Sequence, residues 1–231
     1  MRPAVIAVAT LLFGAGVTAQ PLYTEVTATH LPAGLAGRCM DAAAGDADGD
    51  GDFDLVLAME FEPKILLLND GRGRFSDASA ELPRAVHDSE DVAFADFDGD
   101  GDLDLVLVSE DDRTDELYFN DGRARFSDLS ERLVPDDVSN ALVVLDLNGD
   151  GAPDVLTGNI GVDRALINDG KGHFREDVPA MGYGFHEARL ADLDGDGDLD
   201  VLAKPYNWNT PRIDVWLNNG TGKRRSGTNP R

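Results

Sequence analysis

Four short segments repeat one pattern of alternating acids: Asp46-Ala-Asp-Gly-Asp-Gly-Asp-Phe-Asp54, Asp96-Phe-Asp-Gly-Asp-Gly-Asp-Leu-Asp104, Asp146-Leu-Asn-Gly-Asp-Gly-Ala-Pro-Asp154 and Asp192-Leu-Asp-Gly-Asp-Gly-Asp-Leu-Asp200. Hard oxygen donors at the first, third, fifth and ninth positions, with Gly at the sixth for a sharp turn, suit Ca²⁺, which also takes backbone carbonyls and water. In the first loop the side-chain ligands would be Asp46, Asp48, Asp50 and Asp54, with Asp52 giving its carbonyl oxygen. The same assignment takes Asp96, Asp98, Asp100 and Asp104 with the Asp102 carbonyl, and Asp192, Asp194, Asp196 and Asp200 with the Asp198 carbonyl. In the third loop it takes Asp146, Asn148, Asp150 and Asp154, with Ala152 at the position where a backbone ligand needs no particular side chain. Asn148 keeps an oxygen and loses a charge, so this site should bind more weakly. About four Ca²⁺ ions are therefore expected. EF-hands are excluded, because their bidentate Glu is replaced by Leu57, Leu107, Thr157 or Ala203 and the flanks are strand-like. Mg²⁺ is disfavoured by its demand for near-octahedral geometry with retained water. With no cation, so many neighbouring carboxylates would repel one another.

Something must hold these loops at regular intervals. Their starts lie 50, 50 and 46 residues apart, and each is followed by a short β-prone run: Leu55 to Leu57, Leu105 to Val108, Val155 to Leu156 and Val201 to Leu202. A second shared feature follows, an apolar run ending in Asn69-Asp-Gly71, Asn120-Asp-Gly122, Asn168-Asp-Gly170 or Asn218-Asn-Gly220. These read as tight hairpin turns, since Asn and Gly accept positive φ cheaply. Phe75, Phe126 and Phe174 then open another extended segment. Four short strands per period near fifty residues is the signature of a propeller blade. The expected fold is all-β, a β-propeller of four-stranded blades in four repeats over residues 20–222, with little helix; a β-sandwich with coincidental loops is the weaker reading.

Composition bounds the rest. With 44 Asp plus Glu against 20 Lys plus Arg, the formal charge is −24. Such a surface repels phosphate backbones, which argues against a nucleic-acid partner. Cys39 is the only cysteine, so there is no internal disulfide and no cysteine zinc cluster. No apolar run has the roughly eighteen residues of a membrane span. Residues 1–19 read as a signal peptide, with Arg2, an apolar stretch from Ala4 to Val17 and a small-residue cleavage pattern ending at Ala19. Cys39, behind Arg38 and far from that stretch, is not a lipoprotein anchor. A secreted or periplasmic protein is expected, with a disordered basic tail over residues 223–231.

Other chemistry is weaker. His30, His87, His173 and His186 sit in no nucleophile or metalloenzyme motif, and the Gly-rich spacing belongs to the acidic loops rather than to a phosphate cradle. Asp88-Ser-Glu-Asp91, Asp136-Asp137 and His186-Glu187 are expected in loops on the face opposite the Asp loops, mostly as solvated groups. Tyr206, Asn207, Trp208 and Asn209 form a polar-aromatic cluster that would suit a sugar face, although a Trp covering the blade edge is the simpler reading. Trp216 and Tyr118 are expected in the core.

The run Asp96-Phe-Asp-Gly-Asp-Gly-Asp-Leu-Asp-Leu-Val-Leu107, followed by Leu117-Tyr-Phe-Asn-Asp-Gly122 and Phe126-Ser-Asp128, resembles the FG-GAP/VCBS repeat family, and the match extends over about residues 22–220. The resemblance implies a calcium-stabilised β-propeller like the head of integrin alpha subunits, serving in extracellular adhesion or ligand binding. On that basis we expect a binding module for an unidentified protein or glycan; the alternative is a secreted hydrolase or lyase on a propeller scaffold. The family usually closes with around seven blades, whereas four loops occur here. Two arrangements follow. In one, a strand at Tyr23 to Thr27 pairs with Asp214 to Leu217 and closes a four-bladed ring; in the other, slightly favoured, the blades form an open arc whose unpaired edges invite self-association.

Overall fold

In the computed structural model, the described residues are 22–134, 138–177, 181, 183–206, 212–218 and 220. Four antiparallel sheets follow one another along the chain. Sheet 1 contains β1 (Cys39–Gly45), β2 (Asp54–Met59), β3 (Ile65–Asn69) and β4 (Phe75–Asp77) in that spatial order. Sheet 2 contains β5 (Ser89–Ala95), β6 (Asp104–Ser109), β7 (Glu116–Asn120) and β8 (Phe126–Asp128). Sheet 3 contains β9 (Ser139–Leu145), β10 (Asp154–Asn159), β11 (Arg164–Asn168) and β12 (Phe174–Asp177). Three strands of sheet 4 are described: β13 (Phe185–Ala191), β14 (Asp200–Pro205) and β15 (Asp214–Trp216). The only α-helix among the described residues is the single turn α1 (Thr27–His30), and no described helix is long and apolar enough to cross a membrane. The chain therefore adopts the four successive propeller-type blades read from the repeats.

Register explains the constant loop length. The last aspartate of each loop pairs across the ladder with the residue before the first: Gly45 with Asp54, Ala95 with Asp104, Leu145 with Asp154 and Ala191 with Asp200. Each loop thus closes the hairpin between the first two strands of its sheet. The inner strands pack in series, β1 on β5, β5 on β9 and β9 on β13.

Alternation along the strands sends side chains to both faces of each sheet, and neighbouring sheets bury them in three layers. The first layer joins sheets 1 and 2 through Val56, Leu66, Leu105, Leu107, Tyr118 and Phe126. Phe97, Val106, Leu117, Leu142, Leu166 and Phe174 join sheets 2 and 3. Leu156, Ala165, Phe185, Val201 and Ala203, with Trp216 against them, join sheets 3 and 4. Three layers among four sheets make an arc, and no layer among the described residues joins sheet 4 back to sheet 1.

Two expectations are corrected here. Leu22 to Val26 forms no strand, and Tyr23 is 89% exposed; the chain enters instead through α1. Residues 22–32 resemble in sequence the segments that follow Phe75 and Phe126, and the likeness holds in structure only for their second halves, which form the 3₁₀ turns Ser79–Glu81 and Ser130–Arg132. Likewise, Ser89 to Asp91 and His186-Glu187 are not loop residues. They belong to β5 and β13, and each inner strand is bulged at one equivalent residue: Met40, Glu90, Asn140 or His186. A bulge turns the following side chain to a new heading. Asp136-Asp137, the signal segment and the basic tail lie outside the described residues.

The layers give unequal value to repeat-equivalent residues. Leu107→Ala, in the fully buried first layer, should cost about 2–5 kcal/mol. Leu57→Ala, its counterpart on the half-buried outer face of sheet 1, should cost clearly less. Urea unfolding of the two variants measures the difference, and equal losses would contradict an open arc.

Candidate metal centres

Each loop is held by its own acids before any cation is considered. Asp46 accepts the Gly49 N–H through Oδ1 (2.9 Å) and the Gly51 N–H through Oδ2 (3.0 Å). Asp48 accepts from the Asp50 N–H (3.2 Å), and Asp50 from the Asp52 N–H (2.9 Å). The pattern returns at Asp96, Asp98 and Asp100, at Asp146, Asn148 and Asp150, and at Asp192, Asp194 and Asp196. Backbone N–H groups thus turn inward onto carboxylates, which fixes the side chains and leaves their remaining lone pairs facing a common point.

The ninth residue does something different. Asp54 is fully buried, its Oδ2 accepting the Ala47 N–H (2.9 Å) and its Oδ1 the Asn69 N–H (2.8 Å). Asp104 holds Phe97 and Asn120 in the same way, Asp154 holds Leu147 and Asn168, and Asp200 holds Leu193 and Asn218. One carboxylate thereby ties the acidic loop to the end of the third strand. The seventh residue lies against the hairpin turn: a Cβ on Gly122, whose φ is +72°, would sit 2.5 Å from the Asp102 carboxylate. Asp52 and Asp198 lie against Gly71 and Gly220 in the same manner, and in the third loop Ala152 takes the place opposite Gly170.

Three loops gather carboxylate oxygens closely enough to share an ion. Oxygens of Asp46, Asp48 and Asp50 lie within 4.8 Å of one another, as do those of Asp96, Asp98 and Asp104, and of Asp192, Asp194 and Asp200. In the third loop the Asn148 amide donates to Asp150 Oδ2 (2.9 Å), so the amide relieves a charge that the other loops leave unbalanced. The donor set is all hard oxygen on a flexible loop, which fits Ca²⁺ in character.

The electrostatics agree. Desolvation, then the charge of Asp54, raises Asp48; desolvation and Asp100 raise Asp98. Burial pushes Asp104 up to about 7 despite the N–H groups of Asn120 and Phe97, and Asp154 up to about 6. Asp54 and Asp194 are also raised, chiefly by desolvation. A divalent ion would reverse this by favouring every ionised form.

Of the histidines, His87 Nδ1 lies 2.7 Å from Asp112, His173 Nδ1 lies 3.8 Å from Asp169, His30 Nδ1 lies 2.8 Å from Thr29 Oγ1, and His186 stacks on Tyr206 at 4.1 Å. Asn207, Trp208 and Asn209 lie outside the described residues. Tyr118 is fully buried as expected, and Trp216 is half-buried in an edge contact with Tyr183. A buried cluster not foreseen from the sequence joins sheets 1 and 2: Lys64 Nζ lies 2.5 Å from Glu116, which also accepts from the Tyr118 hydroxyl. Its signal was a Lys and a Glu at the heads of two apolar strands.

Folded and cation-free, Asp104 keeps its proton up to about pH 7, whereas unfolded it releases it near 3.8. The folded state then binds more protons in between, so stability falls as pH rises through that window. Asp154 acts in the same sense up to about 6, and Glu90, also pushed up to about 7, adds a part independent of the loops. In chelator the melting temperature should therefore be higher at pH 5 than at pH 7.5, and saturating Ca²⁺ should remove most of that slope. A slope untouched by Ca²⁺ would separate the loops from the ion.

No curated protein matches the chain in sequence. Among solved structures it is similar to an Agrocybe aegerita lectin described as recognising non-reducing terminal N-acetylglucosamine (20% identity, 78% of this chain and 48% of that one, TM-score 0.50). It is also similar to the V. cholerae biofilm matrix protein Bap1 (21%, 78% and 27%, TM-score 0.43) and to a Photorhabdus luminescens Tc holotoxin pore (25%, 84% and 9%, TM-score 0.42). The chain spans less than half the length of each, and the lectin likeness speaks for the fold alone. The FG-GAP-like repeat model matches three times in overlapping register, over residues 46–107, 96–157 and 146–203, so each match runs from one acidic loop through the next. With those matches covering most of its length, this chain belongs to the FG-GAP-like repeat family.

Proposed function

We propose that this chain is a secreted, calcium-stabilised binding module, not an enzyme, and that its ligand is a glycan or a protein. The observation that carries the reading is the convergence of three carboxylates in each of three loops, on a backbone scaffold repeated in every sheet. Cations there would neutralise part of the −24 charge and stiffen one end of the arc. The first and third side chains would hold the ion in each of these three loops, joined by the fifth, Asp50, in the first loop and by the ninth, Asp104 or Asp200, in the second and fourth.

The opposite end gathers a second set of acidic groups. There the β2–β3 and β6–β7 connections bring Glu60, Glu110 and Asp111 around Asp88 and the bulged Glu90, whose proton is held up to about 7 by burial and these like charges. Carboxyl groups with oxygens to spare accept well from sugar hydroxyls and from cationic side chains. The shared fold with a lectin supports trying glycans first.

Two measurements test this. Removing Ca²⁺ with excess EDTA should lower the melting temperature, and affinity should lie at about 10⁻⁴ to 10⁻³ M, as in other extracellular modules. An unchanged melting curve would remove the calcium reading. A glycan and protein array that includes terminal N-acetylglucosamine should show a binder that Glu90→Gln weakens; turnover in a hydrolase screen with no array binder would favour the enzyme alternative.

A further inference from the structure

We propose that a second copy of this chain docks head to tail on both end faces of the arc, so that two copies complete one ring of eight sheets. The argument begins with how the three internal layers are made. Each joins the far face of one sheet to the near face of the next, and the first two are sealed at the loop end by a side-chain amide. Asn120 donates to the Ala47 carbonyl in the neighbouring loop (2.7 Å) while also holding Leu103 in its own (3.1 Å). Asn168 does the same with Phe97 (2.8 Å) and Pro153 (3.1 Å).

Both halves of one further layer stand at the two ends. On sheet 1, Asn69 holds only the Phe53 carbonyl of its own loop (3.1 Å), and the Leu193 carbonyl of sheet 4 occupies the position of Ala47 and Phe97. Leu103 reaches the Gly45 backbone of the sheet before it; its counterpart Phe53 is 71% exposed. Across the chain, the far face of sheet 4 leaves Leu193, Leu202, Val215 and Leu217 exposed, the last two by 55% and 58%. Leu202 and Val215 are the repeat equivalents of Val56 and Leu66, which the first layer buries completely.

Even the small packing piece between sheets is present. Arg132, in the turn after β8, reaches the Lys171 carbonyl in the next sheet's hairpin (3.2 Å). At the near end α1 already holds that position, its Thr29 carbonyl accepting from Arg74 in the β3–β4 turn (3.4 Å). The end faces are therefore matching halves of an interface that the chain makes three times within itself. Such a heterologous contact either closes or runs on as a filament. Propellers close with about four to eight blades; one copy leaves both end faces open, and two copies of four sheets still fit within that range.

Sedimentation velocity on the full chain in Ca²⁺, across a dilution series, should give the mass of two chains. Phe53→Asp and Leu202→Glu, each at an exposed position, should halve that mass with an unchanged far-UV circular dichroism spectrum. Mixing the two variants should restore a two-chain species, because each still offers one intact face to the other. A folded wild-type monomer, a species heavier than two chains, variants that stay dimeric, or a mixture that stays monomeric would each overturn the proposal.

Discussion

The carboxylate at the ninth loop position is the contact on which each sheet depends. Asp54, Asp104, Asp154 and Asp200 are buried, and each accepts one N–H from the acidic loop and another from the Asn at the end of the third strand or, in sheet 4, just beyond it. A charge in that setting is costly unless hydrogen-bonded and paired. Two N–H groups supply the first condition, and a cation among the neighbouring oxygens would supply the second. Remove the carboxylate and two buried donors lose their acceptor, in a loop whose other acids are held only by their own turn.

Because that contact lies within one repeat, both of its partners were legible in the sequence, although the ninth Asp was read there as a cation ligand and not as the tie between loop and strand. An acidic loop and a later Asn recur in every repeat at slightly different spacings, and the apolar run of Leu55, Val56 and Leu57 marks a strand with both faces available for burial. What escaped were features set between repeats or carried by geometry alone. The inner-strand bulges have no residue signature, since Met40, Glu90, Asn140 and His186 share nothing but their position, so Ser89 to Asp91 read as loop. The strand expected at Tyr23 has the right composition but no described partner, and without cross-strand hydrogen bonds a lone extended segment has nothing to stabilise it. The family likeness identified the blades and the loops; it did not tell whether four of them meet.

Lys64 and Glu116 show how near-identical repeats are kept in order. Their ion pair is buried in the first layer, with Lys64 also donating to the Ala85 carbonyl (3.2 Å). The equivalent residues are Asp115 and Arg164 in the next layer and differ again beyond it. A buried pair contributes little net stability against an apolar one, yet leaving either member alone is severely destabilising. Sheets 1 and 2 are thus matched to each other and mismatched to other neighbours, which disfavours a slip of one whole repeat during folding.

The amide that crosses from one sheet to the loop of the next has a thermodynamic consequence. The Ala47 carbonyl lies inside the first acidic loop, yet it is held by Asn120 and by the Ala124 N–H (2.9 Å), both from the second sheet. The loop's shape is therefore partly the property of its neighbour. Whatever ion settles in the first loop gains from the second sheet being in place, and by linkage it favours that docking to the same degree. Repeated along the arc, this would couple the candidate ion sites into a one-dimensional cooperative array, in which an ion bound at one end would be felt sheet by sheet toward the other.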